Sequence, residues 1–216
     1  MFFLGHMCWA YAFGKSTSRL TSGKVKVQLL LLCGVLPDVD LFLGVEHGGA
    51  VHSVAFWIVA FVPVLLLIGP KRGLPCLAST LQHLLFGDMV AAKYKILVPF
   101  SDTGFGFGLG LLSTISLSLE LLGFFAFIML AHFSGELRAL FRKDPENLLS
   151  LLPAVAMLAS IESALWMGGL GTVAFCFEAA QVSFLLLLLY SSLMGAAGKM
   201  PIASREGGFQ SGRGSK

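Results

Sequence analysis

The sequence predicts an all-α fold, a polytopic bundle of six or seven transmembrane helices. Composition is the first reason. Of 216 residues, 56% are hydrophobic and 12% charged, half the roughly 25% charged that soluble domains carry, and the mean hydropathy is +0.83. The second reason is that the apolar residues come in long runs, and a helix needs about 20 of them to cross a lipid core about 30 Å thick. Lipid offers the backbone no hydrogen-bond partners, so helices are the expected form and membrane lipid the first expected partner. The alternation of a membrane barrel strand is missing, and the run of leucines at 185–189 argues against it.

The runs place helices at about 1–14, 27–44, 53–69, 74–91, 106–131, 148–168 and 172–196. The first has about 13 apolar residues, which cover some 20 Å at 1.5 Å each, so it is expected to be short, tilted or re-entrant. No positive residue precedes it, unlike a secretory signal. The chain divides into a membrane-domain half at 1–105 that carries the His and Asp motifs, C-terminal transmembrane helices over 106–196, and a Gly/Ser-rich tail at 197–216 expected to be flexible. Cys8, Cys33, Cys76 and Cys176 lie in apolar stretches without a C-x-x-C pair and read as small packing residues.

Lysine and arginine set the orientation. With seven crossings, thirteen of the fifteen basic residues fall on one side: Lys15, Arg19, Lys24, Lys26, Lys71, Arg72, Arg138, Arg142, Lys143, Lys199, Arg205, Arg213 and Lys216. Only Lys93 and Lys95 fall on the other. The basic side is expected to be cytoplasmic, with the C-terminus inside. The net charge of +3 comes with no basic stripe of interleaved aromatics, so nucleic acid is not an expected partner.

Lipid makes polar residues expensive, and a central aspartate costs about 2.5–3.5 kcal/mol on insertion scales. Such residues therefore face cavities and carry function. His6, Asp38, Asp40, His47, His52, His83 and Asp88 all fall in the outer half of the topology that charge alone set. Imidazole with carboxylate suits zinc, manganese or iron, whereas magnesium and calcium prefer oxygen. Asp38 and Asp40 point about 200° apart on a regular helix, so they converge only where it ends or unwinds, as Gly34 and Pro37 allow. The Gly-Gly pair in HGGAVHS at 47–53 can fold that loop back on itself. A divalent ion with an open position lowers the pKa of bound water toward about 7.

The order His6, LPDVD at 36–40, HGGAVHS at 47–53, QHLLFGD at 82–88 and LVPFSD at 97–102 resembles the YdjM-type family of membrane-bound metal-dependent hydrolases. That family's pattern is an N-terminal His, PD-x-D, H-R-G-x-x-H-S, H-x-x-x-D and a following proline, and the likeness covers about residues 5–102. Gly48 stands where the family has Arg, and Val51 where it has Thr. Four residues instead of three separate His83 from Asp88. That spacing sets the pair about 140° apart on a regular helix, so Asp88 joins His83 only if Gly87 breaks the turn. The resemblance implies metal-assisted hydrolysis, with Asp38, Asp40, His47, His52, His83 and Asp88 as ligands and His6 as a further one. Asp40 is the expected catalytic carboxylate, orienting the attacking water, and the substrate is expected to be a lipid or phosphoester.

Plainer readings stand beside these. His6 can be a helix-packing hydrogen-bonder and Asp38 a helix cap. His132 reads as an interfacial residue. Glu120, Glu162 and Glu178 read either as outer partners of the site or as protonated carboxyls bonded between helices. The run GFGFGLG at 104–110 lacks phosphate-loop spacing and reads as a flexible helix entry, and GGLG at 168–171 as a tight turn. The rival function is non-enzymatic metal binding or cation transport, which calls for ionisable residues continuing through the membrane.

Overall fold

The computed structural model describes residues 1–40, 47–164 and 171–199, the side chains of 159–164 and 171 excepted. These residues are mostly helical, without a strand; the one β-like contact among them is an isolated bridge between Tyr94 and Phe105. Helix α1 runs over Phe3–Leu20, α2 over Val27–Cys33, α3 over Val54–Ile68 and α4 over Pro70–Gln82. Helix α4 continues through a π turn, His83–Asp88, and a last turn, Met89–Ala91. Then follow α5 (Thr114–Phe133), α6 (Glu136–Leu140), α7 (Leu151–Ala164) and α8 (Gly171–Lys199). The turn expected at 168–171 and the tail beyond Lys199 lie outside the described residues, as does the end of the expected 27–44 segment.

Two helices are long and apolar enough to cross a lipid core: Thr114–Phe133 and Thr172–Lys199. Two more, Val54–Ile68 and Pro145–Leu158, are apolar but shorter. Six or seven helices of spanning length are therefore not present among the described residues. The expected 27–44 helix stops at Cys33, because Gly34 and Pro37 turn the chain into a 3-10 turn, Leu36–Asp38.

Helix α1 is longer than its apolar run, carrying Lys15 and Arg19 in its last turns rather than in a loop. Eighteen residues cover about 27 Å. Its neighbours explain its mixed composition: α1 packs against α2, α4 and α5 at the centre of the bundle. Leu4, Met7, Cys8 and Tyr11 are wholly buried there. Cys33 and Cys76 are also buried, whereas Cys176 is exposed on α8. The outer helices carry the reverse pattern, with Leu66 80%, Leu67 84% and Phe175 70% exposed.

The two ends of the bundle differ chemically. At one end Lys15 reaches Glu136, Lys26 pairs with Glu146, and Thr21 Oγ1 donates to Lys71 O. A cavity of about 730 Å³ opens here between Lys24, Lys26, Arg72 and Glu146. The other end holds the start of α1, the turns at 36–40 and 47–53, and the π turn of α4.

Glycines set how that end closes. The GFGFGLG run is no helix entry; α5 starts only at Thr114. It is a strap whose N–H groups cap α4: Phe107 N donates to Met89 O, Leu109 N to Val90 O and Gly110 N to Ala91 O. These are terminal carbonyls that a helix cannot satisfy itself. Gly106 has φ +145°, and a Cβ there would run into Ala92 O.

Candidate metal centre

All seven residues singled out by sequence come together at this end. Each arrives by a local device. Ser53 accepts from Phe56 N and so starts α3, which sets His52 in the preceding 3-10 turn, Ala50–His52. Gly48 takes a left-handed φ of +81°, folding the loop back as its sequence allows, and its N–H lies 3.4 Å from Asp40 Oδ2. Asp38 and Asp40 converge because α2 has already ended. Asp38 faces His83 Nε2 at 3.3 Å.

The π turn resolves the anomalous spacing of His83 and Asp88. Gly87 does not break the helix; the helix widens. A turn closed by i→i+5 bonds takes about 4.4 residues, so residues five apart lie only about 50° apart around the axis instead of about 140°. Asp88 Oδ2 thereby comes within 3.1 Å of His83 Nε2. Gly87 has a different task. A Cβ there would press into the His6 ring, with Nδ1 at 2.5 Å.

The contacts form one continuous cluster. Asp88 Oδ2 also meets His52 Nε2 at 2.5 Å, and Asp88 Oδ1 faces His6 Nε2 at 3.4 Å. Asp40 lies 3.1 Å from His47 Nδ1 and 3.3 Å from His52 Nδ1. The rings of His6 and His83 stack at 3.7 Å. All members are buried except His47, whose side chain is 31% exposed.

These residues fit a metal ion. Four nitrogen or oxygen ligands about 2.1 Å from a tetrahedral ion stand about 3.4 Å from one another, close to the 3.1–3.4 Å found along most of the cluster's edges. His83 Nδ1–H donates to Gly34 O at 2.7 Å, which fixes the ring and leaves Nε2 aimed at Asp38 and Asp88. His6 Nδ1, His52 Nδ1 and His83 Nε2 are buried without a hydrogen bond. Leaving such atoms unpaired costs about 1–3 kcal/mol each, which a shared cation offsets. Three sets offer ligand atoms within 4.8 Å of one another: Asp38, Asp40, His47 and His52; His6, Asp38 and His83; and His52, His83 and Asp88. A buried group of imidazoles and carboxylates that could hold a metal ion is therefore present.

Two further residues support the cluster, of which the first, Tyr94, has no signal in the sequence. Tyr94 sets its ring edge-on to His47 and tilted against His52, and places its hydroxyl 3.4 Å from His47 Nε2. Burial, together with the charges of Asp88, Asp38 and Asp40, pushes this phenol up to about 12, so it stays a neutral donor. A Cβ at Gly48 would lie 2.8 Å from the Tyr94 ring, so the small residue makes room for the large one. The second is Glu120. It is bonded between helices, from α5 to α1: its two oxygens accept from Phe2 N at 2.6 Å and Gly5 N at 2.5 Å. It thus caps the first turn of α1 and holds the turn that carries His6. Glu178 on α8 stays outside the metal-ligating sets, as does His132, exposed in the last turn of α5. The side chain of Glu162 lies outside the described residues.

Compared with known proteins, the chain matches no family model, no curated protein and no solved structure. The site's own geometry carries the functional argument.

Proposed function

We propose that this chain is a membrane-bound metal-dependent hydrolase of the YdjM type. The observation that carries the reading is the convergence of His6, Asp38, Asp40, His47, His52, His83 and Asp88 from four separate stretches of chain into one cluster. A divalent ion, zinc, manganese or iron, supplies Lewis acidity and a water that ionises near neutral pH. Around it the chain's own groups divide the work. Asp38, Asp40, His47 and His52 would hold the ion, Asp40 would also orient the water that attacks, and Tyr94 would donate a hydrogen bond at the partly exposed mouth beside His47. The cluster's position at a bundle end favours an amphiphilic substrate, a lipid or other phosphoester, that reaches the mouth from the bilayer.

We further propose a multi-pass arrangement in which the shorter apolar helices also cross, with local thinning or tilt making up the length. Exposed leucines on α3 and exposed aromatics on α5 and α8 support it, because a surface of this kind suits lipid. The basic end then faces the cytoplasm with the C-terminus, and the cluster lies near the extracytoplasmic face.

Cation transport is less favoured. It needs ionisable groups continuing inward, and Glu120, the one central candidate, is committed to capping α1. The test uses full-length protein in lipid nanodiscs, with bound metal measured for wild type and for the Asp40→Ala, His52→Ala double variant, and product release followed from phospholipids. The proposal expects bound metal, diminished in the variant, and metal-dependent release. Metal binding without release from any phospholipid class, with ion flux in vesicles, overturns it in favour of transport.

A further inference from the structure

Four imidazoles and three carboxylates are more donors than one ion can take. A zinc site uses four ligands, and an octahedral site six, before any position is left open for water or substrate. The cluster is also elongated. Its rings run His47, His52, His83, His6 with centroid steps of 4.6, 5.2 and 3.7 Å. Ligand atoms on one ion lie within about 4.2 Å of one another, twice the bond length. None of the metal-ligating sets joins His47 to His6 or His83, even at 4.8 Å.

The atoms that face both ways mark the division. Asp38 belongs to the set with Asp40, His47 and His52 and also to the set with His6 and His83. Asp88 turns Oδ1 toward His6 and Oδ2 toward His52 and His83. His52 Nδ1, wholly buried and without a hydrogen bond, points to the Asp40 side, while Nε2 serves Asp88.

Charge favours the same division. One divalent cation leaves the three aspartates with a buried negative charge, which is costly in a desolvated site. Two cations leave one positive charge, which an anionic oxygen matches.

We infer that the cluster binds two divalent cations at once, an inner one among His6, Asp38 and His83 and an outer one among Asp38, Asp40, His47 and His52. Asp38 is shared between them. The outer ion is the exchangeable one, since His47 is the only partly exposed ligand. It is also the one that meets the substrate, so the substrate class is an ester with an anionic oxygen, of the kind that paired ions clamp in phosphoester hydrolysis. This deepens the metal-centre reading and rests on it.

The experiment loads the full chain in detergent with Mn(II), measures metal per chain, and records its electron paramagnetic resonance spectrum. Two ions per wild-type chain with a spin-coupled signal are expected. His47→Ala and His6→Ala are each expected to keep one ion and an uncoupled signal, and brief chelation of wild type to remove one ion before the other. One ion per wild-type chain overturns the pair while leaving a single-ion centre standing. No bound ion overturns both. Two ions retained in His47→Ala overturn the assignment of the outer site. The wild-type stoichiometry decides the central claim even if a variant fails to fold.

Discussion

Gly87 sits against the inner half of the centre, and adding one methyl group there tests the geometry directly. In Gly87→Ala the new Cβ lies 2.5 Å from His6 Nδ1, where ordinary contact begins at 3.4 Å. The ring must withdraw by about 0.9 Å, the difference between the two, and its other face is stacked on His83 at 3.7 Å. Overpacking of this kind costs about 1–3 kcal/mol. Felt in the ion-bound state alone, that is a loss of roughly 5- to 150-fold in ion affinity. Felt in both states, it appears as a lower melting temperature. Chelator competition and thermal unfolding in detergent read the two. The control is His6→Ala, which removes the ring and gives the methyl room. In that background Gly87→Ala is expected to add less than about 0.5 kcal/mol, the limit of independent behaviour. Equal effects in both backgrounds refute the steric reasoning.

Deleting Leu85, which is 49% exposed on the π turn, shortens the His83–Asp88 spacing to four residues, about 40° apart on a regular helix. Metal per chain is expected to survive this deletion and to fall when an alanine is inserted at the same place; the reverse result contradicts the π-turn account. Glu120→Gln leaves one backbone N–H of α1 facing an amide NH₂ in a buried site, a loss of about 1–3 kcal/mol. It is expected to lower the melting temperature and weaken ion binding through His6, and an unchanged melting curve speaks against the cap. Removing the metal leaves Asp38, Asp40 and Asp88 facing imidazoles alone. Ion at about 1,000 times its Kd is expected to stabilise the fold by about 4 kcal/mol, and a melting temperature indifferent to ion concentration rules this out.

Composition alone determined that the chain is helical and apolar enough for lipid, because lipid tolerates few charges and no unpaired backbone. The same cost made the candidate site legible: aspartates and histidines that lipid penalises stood out against the leucines, and all seven met. Helix lengths were less legible. Apolar runs mark stretches that suit lipid, but α1, which packs against α2, α4 and α5, continues past its run, and α2 ends early where Gly34 and Pro37 turn the chain. Only the tertiary structure decided how Asp88 reaches His83, since a widened turn costs little locally and is stabilised by what it brings together. The same holds for Tyr94, Glu120 and the glycine strap. Each owes its role to a partner at least a dozen residues away or to backbone groups, and neither leaves a pattern in the residues nearby.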